Sequence, residues 1–145
     1  MSDEARPVLT DYGWRRDFPT RWHDNDVFGH VNNTIYYAAM DTTATSWLLT
    51  EAGHGLRAGA EPAVVVASSC RYFASAAYPE TLVVGLRADR IGTTSVSWGL
   101  GIFREADGGL LATGTFVHVF VDPDERRPVP VPSALADRIR TDLMA

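Results

Sequence analysis

The feature that most constrains this chain is a change of hydrophobic period. Between residues 33 and 52, Tyr36, Met40, Thr43, Ala44, Trp47 and Leu48 recur at helical spacing. From residue 62 onward the spacing shortens to that of strands. Asn32 or Asn33 supplies a helix N-cap, and Gly53 and Gly55 stand where glycines end a helix. Thr42, Thr43 and Thr45 are poor helix formers, so burial on several sides, more than propensity, has to hold this helix. One long buried helix followed by strands predicts an α+β layer arrangement: an antiparallel sheet wrapped around one central helix.

The strands can be placed from their own patterns. Residues 1–10 read as a loose tail and Tyr12 to Trp22 as a first strand. After a Gly-rich loop at 53–61, four strands are expected in hairpin-like succession. Pro62 to Ser75 carries the run Ala63-Val64-Val65-Val66-Ala67. Glu80 to Ile91 sets Leu82, Val84, Leu86 and Ala88 on one face. Thr94 to Phe103 sets Val96, Trp98, Leu100 and Ile102 opposite Ser95, Ser97, Gly99 and Gly101. Leu110 to Val121 is apolar on both faces, as a central strand is. Gly92 and Asp107-Gly108-Gly109 mark turns. Residues 122–132, rich in proline, form an extended arm, and Ser133 is placed to cap a short terminal helix. A sheet of this kind has open edges, so pairing with a second copy is a natural way to complete it.

Composition narrows the function classes. At 145 residues the chain suits one domain with a sizeable core, and 46% hydrophobic with 21% charged residues excludes wholesale disorder. A net charge of −5 argues against a nucleic-acid binder. All 13 basic residues are arginine, which removes lysine Schiff-base chemistry and the phosphate-loop lysine. The single Cys70 makes neither an internal disulfide nor a Cys-rich zinc site. No apolar run is long enough for membrane insertion, and the acidic start lacks a signal-peptide pattern, so a cytoplasmic protein is expected.

One stretch carries chemistry: Arg21-Trp22-His23-Asp24-Asn25-Asp26-Val27-Phe28-Gly29-His30-Val31-Asn32-Asn33. Its carboxylates and histidines run directly into a helix N-terminus, whose unpaired N–H groups and partial positive charge suit a developing oxyanion. A carboxylate held beside it can act as general base toward water or as a nucleophile. The same residue types also build ordinary turns and caps, so the residues alone leave both readings open. The spacing of His23, Asp24, Asp26 and His30 matches no common zinc pattern, and no metal is expected.

The pattern Arg-Trp-x-Asp-x-Asp-x-x-Gly-His-Val-Asn-Asn, followed by Tyr36-Tyr37 and Asp41-Thr42, resembles the hotdog-fold acyl-CoA thioesterases of the 4-hydroxybenzoyl-CoA thioesterase type. The resemblance continues through Cys70-Arg71-Tyr72-Phe73, the segment Arg90 to Val96, and Thr113-Gly114-x-Phe116-Val117-His118-Val119. It implies a hotdog domain over residues 11–132, with 133–145 as an appended helix. It also implies homodimers that associate further into tetramers, and an acyl pocket between the helix of one subunit and the sheet of its neighbour. No cofactor is implied, since coenzyme A is part of the substrate. By position Asp26 matches the catalytic carboxylate, Gly29 permits the close approach to the helix, and the Asn33 N–H polarises the thioester carbonyl. His30, Tyr36, Arg90, Thr94 and Ser95 match positions that meet substrate.

Other residues take structural roles in this reading. Arg21 and Asp24 pair to brace the loop, Asp41 is structural, His118 is a core or interface histidine, and His23 and His54 face solvent. Tyr37, Phe28 and Trp47 are further aromatics available to the pocket, and arginines such as Arg71, Arg87, Arg90 and Arg104 suit coenzyme A phosphates. The alternatives are a thioesterase acting on acyl carrier protein, a non-catalytic acyl-CoA-binding domain, and a hotdog dehydratase. Like charge on an acidic carrier protein counts against the first. Retention of Asp26 and Gly29 counts against the second. The position of His30, four residues after Asp26, counts against the third.

Overall fold

A computed structural model of the protein describes residues 6–55 and 58–144. Five strands, β1 (Trp14–Pro19), β2 (Ala63–Tyr72), β3 (Thr81–Ile91), β4 (Ser95–Arg104) and β5 (Leu110–Phe120), form one antiparallel sheet in the order β1-β3-β4-β5-β2. Helix α1 (Asn33–Ser46) crosses its inner face, and α2 (Ser133–Leu143) closes the chain. This is the hotdog architecture. The expected hairpin succession holds for β3-β4-β5 only. β2 skips past β3 and β4 to pair with β5, leaving β1 and β2 as the two edges.

Alternation explains the core. Leu82, Val84, Leu86, Val96, Trp98, Leu100 and Ile102 are at most 1% exposed, and their inward side chains meet Ala39, Met40, Ala44 and Trp47 of α1 and its continuation. Trp47 and Trp98 pack with ring centroids 6.0 Å apart. Each such buried side chain contributes about 1.5–3 kcal/mol of transfer free energy. The seam between helix and sheet is tight: a Cβ on Gly114 of β5 would overlap Met40 Sδ.

The opposite face explains why β4 alternates with glycine. Tyr12 lies across β3 and β4, where a Cβ on Gly85 or Gly101 would come within 2.6 Å of its ring or hydroxyl. Tyr12 is thus a side chain laid on the outer face ahead of β1, and the expected strand start at residue 12 shifts to Trp14.

Several local expectations change. Asn32 is the N-cap of α1: its side chain accepts the Thr34 N–H at 3.0 Å. The last helical stretch, Trp47–Glu51, is a π-turn that carries the chain on to Gly53, whose φ is 67°. Ser133 does not cap α2; it is the first helical residue, and Pro132 precedes it with no side-chain cap. Of the expected tail, residues 1–5 lie outside the described residues, while Leu9–Asp11 form a 3-10 turn. His54 is buried, contrary to the solvent position expected for it, with Nε2 2.8 Å from the Glu61 carbonyl and its ring edge-on to Phe120.

Candidate active site

The loop from Trp22 to Asn32 is more ordered than its composition suggests. It opens with a 3-10 turn, Trp22–Asp24, and a bridge between Asn25 and Val31 closes it into a hairpin-like knuckle. Gly29, at φ 83°, makes the reversal, its N–H donating to the Asp26 carbonyl at 3.1 Å. A left-handed φ of this kind favours glycine on steric grounds. The Asp26 N–H donates to the His30 carbonyl at 2.9 Å, and one Asp26 carboxylate oxygen accepts the Phe28 N–H at 2.9 Å.

Asp24 and Asp26 have separate tasks. Asp24 is 1% exposed and accepts from the Arg21 backbone N–H at 2.8 Å and from its guanidinium at 2.9 Å. Burial pushes its carboxyl up, but the hydrogen bonds from Arg21 outweigh this and hold it below the usual range. The Asp24 carbonyl accepts the Asn32 N–H at 2.9 Å, which fixes the entry to α1. This is the bracing pair expected from the sequence.

Asp26 borders a cavity of about 440 Å³ whose other walls are Val31, Asn33, Tyr36, Tyr72, Phe73, Ala74 and Ser75. The backbone N–H of Asn33, in the first turn of α1, has no acceptor among the described residues. It is one of the orphan donors that every helix start presents, at the positive end of the helix dipole. One cavity therefore holds a carboxylate and an unpaired N–H.

Three of the expected site residues, Asp26, Asn33 and Tyr36, line the cavity together. Gly29 and His30 shape the loop beside it, and the His30 ring is exposed. Arg90, Thr94 and Ser95 lie around the β3–β4 turn and are not part of the lining. Trp47 belongs to the core, Tyr37 packs on Phe116 with centroids 6.2 Å apart, and Phe28 is 82% exposed on the loop tip. His23, Asp24, Asp26 and His30 do not gather, and no set of three metal-ligating side chains does among the described residues.

The sequence reading missed the wall built from Tyr72 to Ser75 as part of the pocket. Its signal was an aromatic pair at a strand end followed by small residues. Tyr72 meets Tyr36 edge-on at 5.3 Å, and its hydroxyl donates to the Asn33 carbonyl at 3.4 Å. Burial, then its contact with Cys70, pushes the Tyr72 phenol well above its ordinary value, so it stays neutral and able to donate.

Two loops are knitted together here. The Ala76 carbonyl accepts the Val31 N–H at 2.8 Å, and the Asn25 side chain accepts the Tyr78 N–H at 3.1 Å. Glu80 secures the second loop by accepting from the Ala77 N–H and from Arg104, each at 2.5 Å, and Arg104 also donates to the Ser75 carbonyl at 2.8 Å.

Comparison with known proteins bears on the family and the fold. The family described as the Thioesterase-like superfamily matches residues 20–139. The PA5185 protein of Pseudomonas aeruginosa is similar in structure, with a TM-score of 0.89 and 41% identity over 95% of this chain and 96% of that one. A thioesterase of Thermus thermophilus, solved with coenzyme A and Zn, has a TM-score of 0.75 and 25% identity over 90% and 94% of the two chains. A 1,4-dihydroxy-2-naphthoyl-CoA thioesterase of Synechocystis has a TM-score of 0.77 at 22% identity, over 86% and 93%, a likeness of fold. A search of curated proteins found no match. No helix among the described residues is long and apolar enough to cross a membrane.

Proposed function

Since the chain belongs to the Thioesterase-like superfamily, we propose that it hydrolyses an acyl-CoA thioester to the free carboxylic acid and coenzyme A. The observation that carries this reading is the shared cavity: the Asp26 carboxylate and the unpaired Asn33 N–H line the same space. A cavity of about 440 Å³ is within the ordinary range for small-molecule sites.

With the thioester carbonyl oxygen at the start of α1, the Asn33 N–H and the helix dipole polarise it. Asp26 acts in one of two ways. As general base it takes a proton from water while the water oxygen adds to the carbonyl carbon. The negative charge then rests on the carbonyl oxygen facing Asn33. Collapse breaks the C–S bond, and the departing thiolate takes the proton back from Asp26. As nucleophile, Asp26 itself adds to the carbonyl carbon and expels the thiolate, and water then opens the mixed anhydride. The thiolate is a good leaving group on either route, so the chemistry calls for no cofactor.

The active unit in this reading is a homodimer, with tetramers formed by further association. β2 is an unpaired edge whose Val64, Val65 and Val66 are 39%, 42% and 59% exposed, an edge that invites a second strand. Arg90, Thr94 and Ser95 stand outside the cavity of one chain, and in this reading they meet the substrate across a subunit boundary.

Thiol release from a panel of short, long and aromatic acyl-CoAs tests the proposal, with wild type beside Asp26→Asn. Turnover by wild type and a loss of about a hundredfold or more in the variant is expected for a positioned acid–base or nucleophilic group. Full activity in Asp26→Asn refutes the role given to Asp26. Single turnover in ¹⁸O-water bears on the route: label in Asp26 establishes it as the nucleophile, with water opening the anhydride at the aspartyl carbon.

A further inference from the structure

Tyr72 stands at a boundary in the fold. It is the last residue of β2, opposite Ala112 of β5, and its ring meets Tyr36 of α1 edge-on, with centroids 5.3 Å apart and planes at 88°. Tyr36 is 3% exposed and sits one helical turn from Met40, which is fully buried, so it gives that contact a firm backing. The Tyr72 hydroxyl donates to the Asn33 carbonyl at 3.4 Å, and Cys70 lies in contact with it. Ring, hydroxyl and backbone are each held, yet 46% of Tyr72 remains exposed. One side of the ring is wall to the cavity that holds Asp26 and Asn33.

The register of β2 shows what lies beyond the ring. Residues directly opposite in an antiparallel pair share a face of the sheet. Val65 is opposite His118, Ser68 opposite Phe116 and Cys70 opposite Gly114. His118 and Phe116 are buried side chains of the inner face, whereas Val65 and Ser68 beside them are exposed. The inner face of β2 is thus left uncovered, because α1 lies chiefly over β1, β3, β4 and β5. Tyr37 of α1, packed on Phe116, forms the opposite bank. A trough therefore runs between α1 and β2, and Tyr72 stands where it meets the catalytic cavity. The Tyr72 ring points inward onto α1, so a second strand that pairs with the β2 backbone leaves it in place.

We propose that Tyr72 is a specificity-determining residue: its ring closes the cavity off from the trough and restricts the site to short acyl groups. The acyl identity of the ligand rests on the proposed function; the partition itself does not. With the thioester carbon between Asp26 and Asn33, an acyl group that extends toward Tyr36 meets the Tyr72 ring. A longer chain has to displace a ring restrained by Tyr36 and Asn33, or fold back within the cavity. Without the ring, the chain continues past Cys70 and Ser68 toward Val65, between Tyr37 and β2. The carrier arm of the thioester is longer than the cavity and leaves by its open side.

The test uses the full chain as wild type, Tyr72→Phe, Tyr72→Val and Tyr72→Ala, each checked for fold by circular dichroism and thermal melting. Valine suits a strand and guards against loss of fold in the alanine variant. Thiol release gives kcat/KM for butyryl-, hexanoyl-, octanoyl-, decanoyl- and dodecanoyl-CoA. Wild type is expected to favour the short members. Each methylene that gains burial is worth about fourfold, so the ratio of decanoyl to butyryl should rise about tenfold or more in Tyr72→Val and Tyr72→Ala. A ratio is insensitive to a uniform loss of rate from a displaced Asn33. Tyr72→Phe keeps the ring and loses only the hydroxyl, and its ratio should match wild type.

Three results overturn the proposal. One is a wild type that turns over decanoyl- and butyryl-CoA equally well. Another is a shift in Tyr72→Phe as large as in Tyr72→Ala, which places the effect in the hydroxyl. The third is an unchanged length profile in Tyr72→Val and Tyr72→Ala with an altered preference for butyryl-CoA over butyryl-N-acetylcysteamine, which puts the ring beside the carrier arm. Calorimetric titration with the free acids of the same series separates the partition from the reaction. If wild type turns over no thioester, the proposed hydrolysis falls; tighter binding of the longer acids by Tyr72→Ala than by wild type then still supports the partition, and equal binding overturns it.

Discussion

Gly114 offers the sharpest test of how the helix is seated. It faces α1 at Met40, which is fully buried, and a Cβ added there would overlap Met40 Sδ and lie 2.8 Å from Met40 Cε and 2.9 Å from the Ser69 carbonyl oxygen. Overpacking of this kind costs about 1–3 kcal/mol. Replacing glycine by alanine also reduces the freedom of the unfolded chain, which offsets about 0.4–1 kcal/mol. Gly114→Ala is therefore expected to lose about 1–2 kcal/mol, a fall in Tm of about 2–8 °C for a chain of this size. Met40→Ala alone leaves a cavity and costs about 2–5 kcal/mol. In the double variant the new methyl occupies part of that cavity and no longer meets sulfur, so the losses should fall short of their sum by about 1 kcal/mol. The Ser69 carbonyl contact survives in the double variant, so relief is incomplete. Urea denaturation of the four proteins measures the cycle. Additivity within about 0.5 kcal/mol would show that Gly114 and Met40 are not in contact and refute the account of the seam.

Three further outcomes are expected. Gly29→Ala forces a φ of 83° on a residue with a side chain, at a cost of about 1–2 kcal/mol although its Cβ meets nothing within 4 Å; kcat should fall more than Tm, and Gly29→Asn should recover part of the loss. His118 is buried, its Nδ1 accepting the Trp98 indole N–H at 2.9 Å; burial lowers its pKa, and Asp41 partly opposes this. Its stability contribution is thus complete above the unfolded value of about 6.5 and is lost as pH falls from there toward the lower folded value. Urea midpoints from pH 7.5 to 5 should fall less in His118→Gln than in wild type and more in Asp41→Asn. Finally, Val65→Glu puts a charge on the β2 edge, and size-exclusion chromatography should then show monomer where wild type shows dimer or larger.

What could be read from the sequence follows from which interactions are local. Helix α1 was legible because Tyr36, Met40, Thr43, Ala44, Trp47 and Leu48 repeat at its period, and every one of them is buried. The inner faces of β3 and β4 were legible by the same logic at a period of two. The partner of β2 was not. Its pairing with β5 spans forty residues or more and is written in no turn, since only hairpins announce their neighbours. His54 was misplaced because its burial depends on a loop folding back to offer the Glu61 carbonyl. Ser133 has the composition of a cap, but the helix begins one residue earlier than a cap at that position allows. Asp26, Asn33 and Tyr36, which line the cavity, could be grouped from sequence because one loop and one helix carry them. The Tyr72–Ser75 wall arrives from a strand some forty residues away.

That distance has a consequence for how the loop keeps its shape. Within residues 22–32 Val31 is the one side chain of the apolar core, at 5% exposed, while Trp22 is 76%, Val27 94% and Phe28 82% exposed. Besides the bonds within the loop and the Arg21–Asp24 brace, two bonds tie it to the second loop, Val31 N–H to the Ala76 carbonyl and Tyr78 N–H to the Asn25 side chain. The second loop is in turn held by Glu80, whose carboxylate takes the Ala77 N–H and Arg104 and whose carbonyl takes the Thr20 N–H at 3.2 Å. Burial raises the Glu80 carboxyl, but the Ala77 and Arg104 hydrogen bonds prevail and lower it overall, so this clamp is complete at neutral pH and weakens as pH falls through its lowered value. The position of Asp26 therefore depends on a side chain more than fifty residues away that does not line the cavity. Glu80→Gln keeps the shape and removes the charge, so its effect should appear as a lower kcat with the fold intact, and acidification of wild type should reproduce it.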